Sequence, residues 1–209
     1  MKLNVPSDIL KAAILCTQKG DAATNLKNVL FELGETGYRI VSTNRNLLFV
    51  ADLPFTKADD IDDCDLVTAT LELEGDAVKE INELCGNASV VFEENGLIVE
   101  NKAYRSVQDN SAFLVAHGYR QLFPQGKPSG VFPLILPKML ESLFDVAKVL
   151  DVDYKDVKAY TFGYGKAFML DYGRAFILAM PARDCFEVSE SAVDYRKLFE
   201  KATFNLTEW

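Results

Sequence analysis

The chain has 209 residues, 49% apolar and 25% charged, an ordinary globular composition with length for one large domain or two small ones and ample for a real core. Against 22 Lys+Arg stand 31 Asp+Glu, a net charge of −9; such a chain repels a polyanion and is no conventional basic-patch nucleic-acid binder. It has no apolar run of membrane-spanning length and no signal-peptide core in Met1–Pro6, and Cys16, Cys64, Cys85 and Cys185 form no CxxC or CxxH pair. The expectation is therefore a cytoplasmic chain with neither a zinc site nor a disulfide framework.

The acidity is uneven. Residues 1–110 hold 19 acidic and 10 basic side chains, whereas residues 111–209 hold 12 of each. The first predicted element is a helix opened by Pro6-Ser7-Asp8, with Ile9, Leu10, Ala13, Ile14 and Cys16 at helical spacing, and ended at Lys19-Gly20. Three strands are expected next, Val29–Leu33, Tyr38–Ser42 and Leu47–Leu53, separated by Gly34-Glu35-Thr36-Gly37 and Thr43-Asn44-Arg45-Asn46. The acidic run Asp59–Asp65 reads as a solvated loop, lacking the glycine and spacing of a calcium loop.

A strand at Leu66–Leu73, a helix at Asp76–Cys85 and strands at Ser89–Phe92 and Leu97–Glu100 follow, the last two joined by a turn containing Asn95-Gly96. Further strands are expected at Tyr104–Val107 and Ser111–Ala116. The stretch Gln125–Gly130 is linker-like and divides the chain. Beyond it the pattern returns: a strand at Val131–Leu136, a helix at Pro137–Leu150 with proline at its start, and strands at Val157–Phe162, Lys166–Asp171 and Arg174–Met180. An amphipathic helix, Ser189–Ala202, carries Val193, Leu198, Phe199 and Ala202, and a tail runs to Trp209. The class is α+β, antiparallel strands in groups of about three, each group fronted by a helix, in three half-domain repeats.

Catalytic chemistry finds little support. His117 is the chain's one histidine, and no GxSxG, GxGxxG or P-loop pattern occurs. A histidine-dependent nucleophile would have to use that residue, yet no nucleophile elbow accompanies it. The chain is expected to be no enzyme and to need no cofactor or metal.

Four segments in order resemble the bacterial DNA polymerase III β subunit, the sliding clamp. They are Asn25–Glu32, Tyr38–Val50, Gly118–Pro124 and Phe176–Arg183, and the order and approximate spacing agree over residues 5–183, most of the chain. The first two look like a strand entry and the turn after it in the family's middle domain, the third like the linker closing that domain, and the fourth like the family's C-terminal strand. The resemblance implies a shortened clamp of phage or mobile-element type: a complete clamp-like domain at 1–124, half of a second at 125–183, and an additional helix and tail at 184–209.

The same resemblance implies two activities. As a homo-oligomer the chain would encircle duplex DNA without reading its sequence, with helices lining the hole and presenting Lys11, Lys19, Lys79, Lys138, Lys148, Arg196, Lys197 and Lys201. It would also dock DNA polymerase or other replication proteins by short peptides, in a pocket of Leu26, Thr43, Arg45, Leu48, Leu122, Leu178, Met180 and Pro181. The family carries glycine where Arg45 stands. The alternative is a clamp homologue that forms no ring and acts as a peptide-binding or regulatory module.

Overall fold

A computed structural model describes residues 1–17, 26–60, 68–72, 77–93, 96–100, 102–105, 118–130, 133, 135–163 and 166–180. Strand β1 (Lys2–Pro6) leads directly into helix α1 (Ser7–Leu15), and strands β2 (Asn28–Leu33), β3 (Gly37–Thr43) and β4 (Leu47–Pro54) follow. The next elements are β5 (Thr68–Glu72), α2 (Ala77–Glu83), β6 (Asn87–Glu93), β7 (Gly96–Val99) and β8 (Lys102–Arg105). Helix α3 (Pro137–Val149) precedes β9 (Lys158–Thr161), β10 (Phe168–Asp171) and β11 (Phe176–Ala179). Among the described residues α1 is followed by four strands, and α2 and α3 by three each.

Two antiparallel sheets result. One has the order β1-β6-β7-β8 and the other β5-β2-β3-β4-β11-β10-β9. The larger sheet runs without a break across the linker-like stretch, because β4 pairs with β11 from Phe176 opposite Val50 to Ala179 opposite Leu47. Strand parity sorts its side chains. Val29, Phe31, Ile40, Leu47, Phe49, Phe168, Ile177 and Ala179 face one way and join Ile9, Ala13, Ile81, Met139, Leu143 and Val146 of the three helices in one core. Each fully buried phenylalanine in it contributes roughly 1.5–3 kcal/mol of transfer free energy. Leu30, Val41, Leu48, Val50 and Leu178 face the other way, into a second, smaller cluster containing no helical residue of α1–α3.

Several boundaries differ from expectation for local reasons. Strand β1 escapes the helical reading of the N-terminus, yet Leu3 and Val5 alternate and are fully buried, and β1 pairs with β6 throughout. Helix α1 stops at Cys16, whose N–H bonds back to Ala13 O, and Thr17 Oγ1 closes on Ile14 O at 2.7 Å. Ser7, in the expected opening of the helix, is buried. Of the strand expected at 131–136, Pro133, Ile135 and Leu136 are described and are not strand; prolines 133 and 137 have no N–H to give a ladder. The strand expected at 111–116, His117, Cys64, Cys185, the C-terminal helix and Trp209 lie outside the described residues. No helix among those described is long and apolar enough to cross a membrane.

Candidate functional site

The small cluster on the outer face of the large sheet gathers side chains from distant parts of the chain. Register alone places Leu48 opposite Leu178, both buried. Leu30, Val41, Val50 and Ala167 surround them, and Met169, Met180 and Phe123 pack at the margin, half-buried. Met180 is held there by its own N–H, which donates to Asn46 O in the β3–β4 turn at 2.7 Å.

Among the described residues no helix covers this face. Its cover is the segment around a short 3-10 turn, Tyr119–Leu122, fastened by the side chains of Tyr119 and Arg120. The Tyr119 ring is buried in the cluster, and its hydroxyl donates to Glu32 and accepts from Arg39 Nη1 at 3.1 Å. Arg39 in turn forms a two-pronged pair with Asp52, at 2.5 and 2.9 Å. Arg120 donates to Glu32 at 2.9 Å and lies 5.2 Å from the Tyr119 ring centre, a cation–π arrangement. Glu32, Arg39 and Asp52 occupy the same strand parity as Leu30, Val41 and Val50, so the outer face is apolar toward β11 and ionic toward the β2–β3 turn. Burial, and next the bond to Glu32, push the Tyr119 hydroxyl up to about 12. The pairing with Asp52 raises Arg39 above its already high value and keeps it charged. A cleft of about 480 Å³ opens over the ionic half, lined among others by Glu32, Tyr38, Arg39, Asp52 and Arg120.

Of the residues expected to form a peptide pocket, Leu48, Leu178 and Met180 meet in this cluster. Leu122 is on the covering segment and 37% exposed. Leu26 is buried but belongs to neither cluster. Thr43 serves the turn instead: its Oγ1 donates to Leu47 O at 2.7 Å and accepts from Arg45 N at 3.2 Å. Arg45 is exposed at φ +75°, a left-handed conformation that glycine adopts without cost. The turn therefore keeps the backbone shape that glycine would supply and adds a cation beside Met180's anchor. Pro181 lies outside the described residues. None of the expected pocket residues lines the 480 Å³ cleft.

The residues missed from sequence are Leu30, Val41, Val50, Tyr119, Phe123, Ala167 and Met169, with the ionic group Glu32, Arg39, Asp52 and Arg120. A signal existed for part of them. In β2 and β4 both parities are apolar (Val29-Leu30-Phe31 and Leu47-Leu48-Phe49-Val50), the mark of a strand buried on two faces.

The lysines expected on the helices are less uniform than their spacing suggests. Lys11 Nζ donates to Leu84 O at 2.5 Å, just past the C-terminal end of α2, a favourable place for a cation and a structural one. Lys79, Lys138 and Lys148 are exposed, and Lys148 lies 3.6 Å from Asp145. Lys19, Arg196, Lys197 and Lys201 lie outside the described residues. Helices α1–α3 together carry four lysines against the five carboxylates Asp8, Glu80, Glu83, Glu141 and Asp145.

In comparisons with known proteins, no family model matches the chain, and no curated protein matches it. Solved structures do. The DNA polymerase III β subunit of Thermotoga maritima is 10% identical with a TM-score of 0.57, the alignment covering 90% of this chain and 66% of that one. The corresponding subunit from Pseudomonas aeruginosa is 12% identical with a TM-score of 0.60, covering 88% and 66%. The Helicobacter pylori β clamp, solved bound to a DNA ligase peptide, is 12% identical with a TM-score of 0.62, covering 88% and 65%. The chain has the α+β fold of the bacterial sliding clamps and spans about two thirds of their length.

Proposed function

We propose that the chain is a non-catalytic, sliding-clamp-like processivity factor. It docks replication proteins, such as a DNA polymerase, through short apolar peptides on the outer face of the large sheet. As a homo-oligomer it surrounds duplex DNA without reading sequence. The observation that carries the reading is the β4–β11 junction, where Leu48, Leu178 and Met180 converge beside the Tyr119–Phe123 segment. Aliphatic and sulfur-containing side chains at such a margin give a short peptide affinity without chemistry. A clamp of the same fold binds a DNA ligase peptide, which supports a peptide as the ligand class.

In this reading residues 1–124 are a complete clamp-like unit, 125–183 half of another, and 184–209 an addition. The units are repeats of architecture sharing one core rather than separately folded bodies. The test is fluorescence anisotropy with that DNA ligase peptide as probe. Wild type binds, and Met180→Asp, which puts a charge on the half-buried wall, weakens binding at least ~10-fold, the cost of one poorly paired charge at an interface. Equal binding by both proteins refutes the docking face.

The helix charges favour a second reading, a module that docks peptides and forms no ring. Four lysines against five carboxylates leave α1–α3 net negative by one charge, an unfavourable wall for a duplex alongside them. Light scattering separates the two. A closed oligomer at micromolar concentration supports encirclement, and a monomer refutes it while leaving peptide docking in place.

A further inference from the structure

The apolar half of the outer face is framed by Thr43–Leu48, Leu122–Pro124, Thr161–Gly163, Lys166–Phe168 and Leu178–Met180. These segments hold two charged side chains between them, Arg45 and Lys166, and both are cations. Both are exposed, and neither side chain has an ion-pair or hydrogen-bond partner among the described residues. At the ionic end of the same face, by contrast, Arg39 and Arg120 are held by Asp52 and Glu32. In a chain of net charge −9, two unmatched cations beside an apolar floor are a local reversal of sign. We propose that the peptides docking on this face are acidic, with carboxylates next to their aliphatic anchors, and that Arg45 and Lys166 receive those carboxylates. This rests on the docking reading above and adds to it the charge of the partner.

Register fixes where the two cations stand. One step beyond the Phe168–Ala179 pair come Ala167 and Met180, and the Met180 N–H reaches across to Asn46 O. Asn46, Met180 and Ala167 thus form a row over three neighbouring segments, roughly 10 Å wide, and Met180 and Ala167 both belong to the apolar cluster. Arg45 precedes Asn46 at one end of that row and Lys166 precedes Ala167 at the other, so the cations bracket Met180. Arg45 also holds φ +75°, where a side chain is strained and glycine is not. Its guanidinium gives the fold no hydrogen bond or ion pair among the described residues to offset that strain, the pattern of a residue kept for what it binds. Two cations across an aliphatic floor suit a segment bearing both carboxylates and aliphatic side chains. A phosphate backbone would leave the floor uncovered.

The test is fluorescence anisotropy at low ionic strength with the DNA ligase peptide, unextended or extended at both ends by Glu-Glu or by Lys-Lys. The net charge of the chain alone favours the lysine probe. Wild type should instead bind the glutamate probe at least ~5-fold more tightly than the lysine probe, the scale of two exposed pairs, and the gap should close in about 0.5 M salt. Arg45→Glu/Lys166→Glu, two changes at exposed positions that thermal unfolding should barely register, should reverse the order of the probes. Equal binding or a lysine preference in wild type overturns the proposal, as does a glutamate preference that survives in the double variant. So does displacement of the glutamate probe by a mixed-sequence DNA duplex, seen in wild type and absent in the variant, which would assign the cations to nucleic acid. The unextended peptide separates the two levels of the reading. Its failure to bind refutes the docking face and this inference with it; its binding, without a preference between the extended probes, refutes this inference alone.

Discussion

The hydroxyl of Tyr119 is a single atom on which the covering of the outer face depends, and Tyr119→Phe removes it while leaving the ring. The ring fills the same volume, so no cavity opens. What disappears is one bond donated to the Glu32 carboxylate and one accepted from Arg39. Bonds to charged groups contribute roughly 1.5–3 kcal/mol each when their loss strands the partner. Here neither partner is stranded: Glu32 keeps Arg120 at 2.9 Å, and Arg39 keeps both oxygens of Asp52. The expected loss is therefore at the lower end, about 1.5 kcal/mol, or a fall of roughly 3–6 °C in Tm for a chain of this length. Urea unfolding should show a lower midpoint at unchanged m. A cycle with Glu32→Gln should return a coupling of about 1 kcal/mol. A loss below about 0.5 kcal/mol, within the range of ordinary surface substitutions, would mean that the hydroxyl does not fasten the segment.

The same residue carries a pH signature. Burial and Glu32 push the folded hydroxyl from its ordinary value of 10 up to about 12, so between those values the folded chain holds a proton that the unfolded chain has released. Stability from this group is complete below pH 10 and declines as pH rises through about 12. The decline should be shallower in Tyr119→Phe than in wild type when urea midpoints are compared across that range.

Two further outcomes follow from packing. A Cβ built on Gly37 would stand 2.4 Å from Leu53 O, at the point where Gly37 pairs with Pro54; Gly37→Ala should cost about 1–3 kcal/mol in urea unfolding, and a neutral result would mean that this end of the β3–β4 ladder shifts freely. Cys16 is fully buried and its thiol is pushed up to about 12, whereas Cys85 is exposed. Iodoacetamide should modify Cys85 and spare Cys16 in the native chain, with both reacting in urea, as peptide mass spectrometry will show; comparable native labelling of the two would refute the packing of α1.

What was legible in the sequence follows from period and punctuation. Strands β2, β3 and β4 announce themselves because glycine- and asparagine-bearing turns bracket apolar runs, and the structure moves their ends by a residue or so. Helix α3 announces itself by Pro137 and by its apolar spacing. Strand β1 was illegible because five residues ending at a helix start resemble a cap region, and only pairing with β6, more than 80 positions away, makes them a strand. The site was legible where likeness to a known clamp supplied positions, at Leu48, Leu178 and Met180. It was illegible at Glu32, Arg39, Asp52 and Tyr119, because a polar group on a strand reads as solvent-facing until a distant segment is laid over it.

That contrast explains how a single sheet can be buried on two faces by different means. Toward the helices, Val29, Phe31, Ile40 and Phe49 pack against side chains whose positions follow from α1–α3, and burial there is dense and insensitive to any one polar contact. On the outer face, Leu48 and Leu178 are sheltered by a short segment whose hold is an ionic group with exposed members: the side chains of Arg39, Asp52 and Arg120 are 32%, 56% and 64% exposed. Exposed pairs contribute little individually, so the cover is the less stable layer, and local opening concentrates in such layers. A face that is apolar beneath, with Met180 and Leu122 at its rim and a weakly fastened cover beside them, offers an incoming aliphatic peptide a wall at small cost in disrupted packing. In the proposed docking function, strengthening the fastening and binding a peptide are then opposed demands on the same few residues.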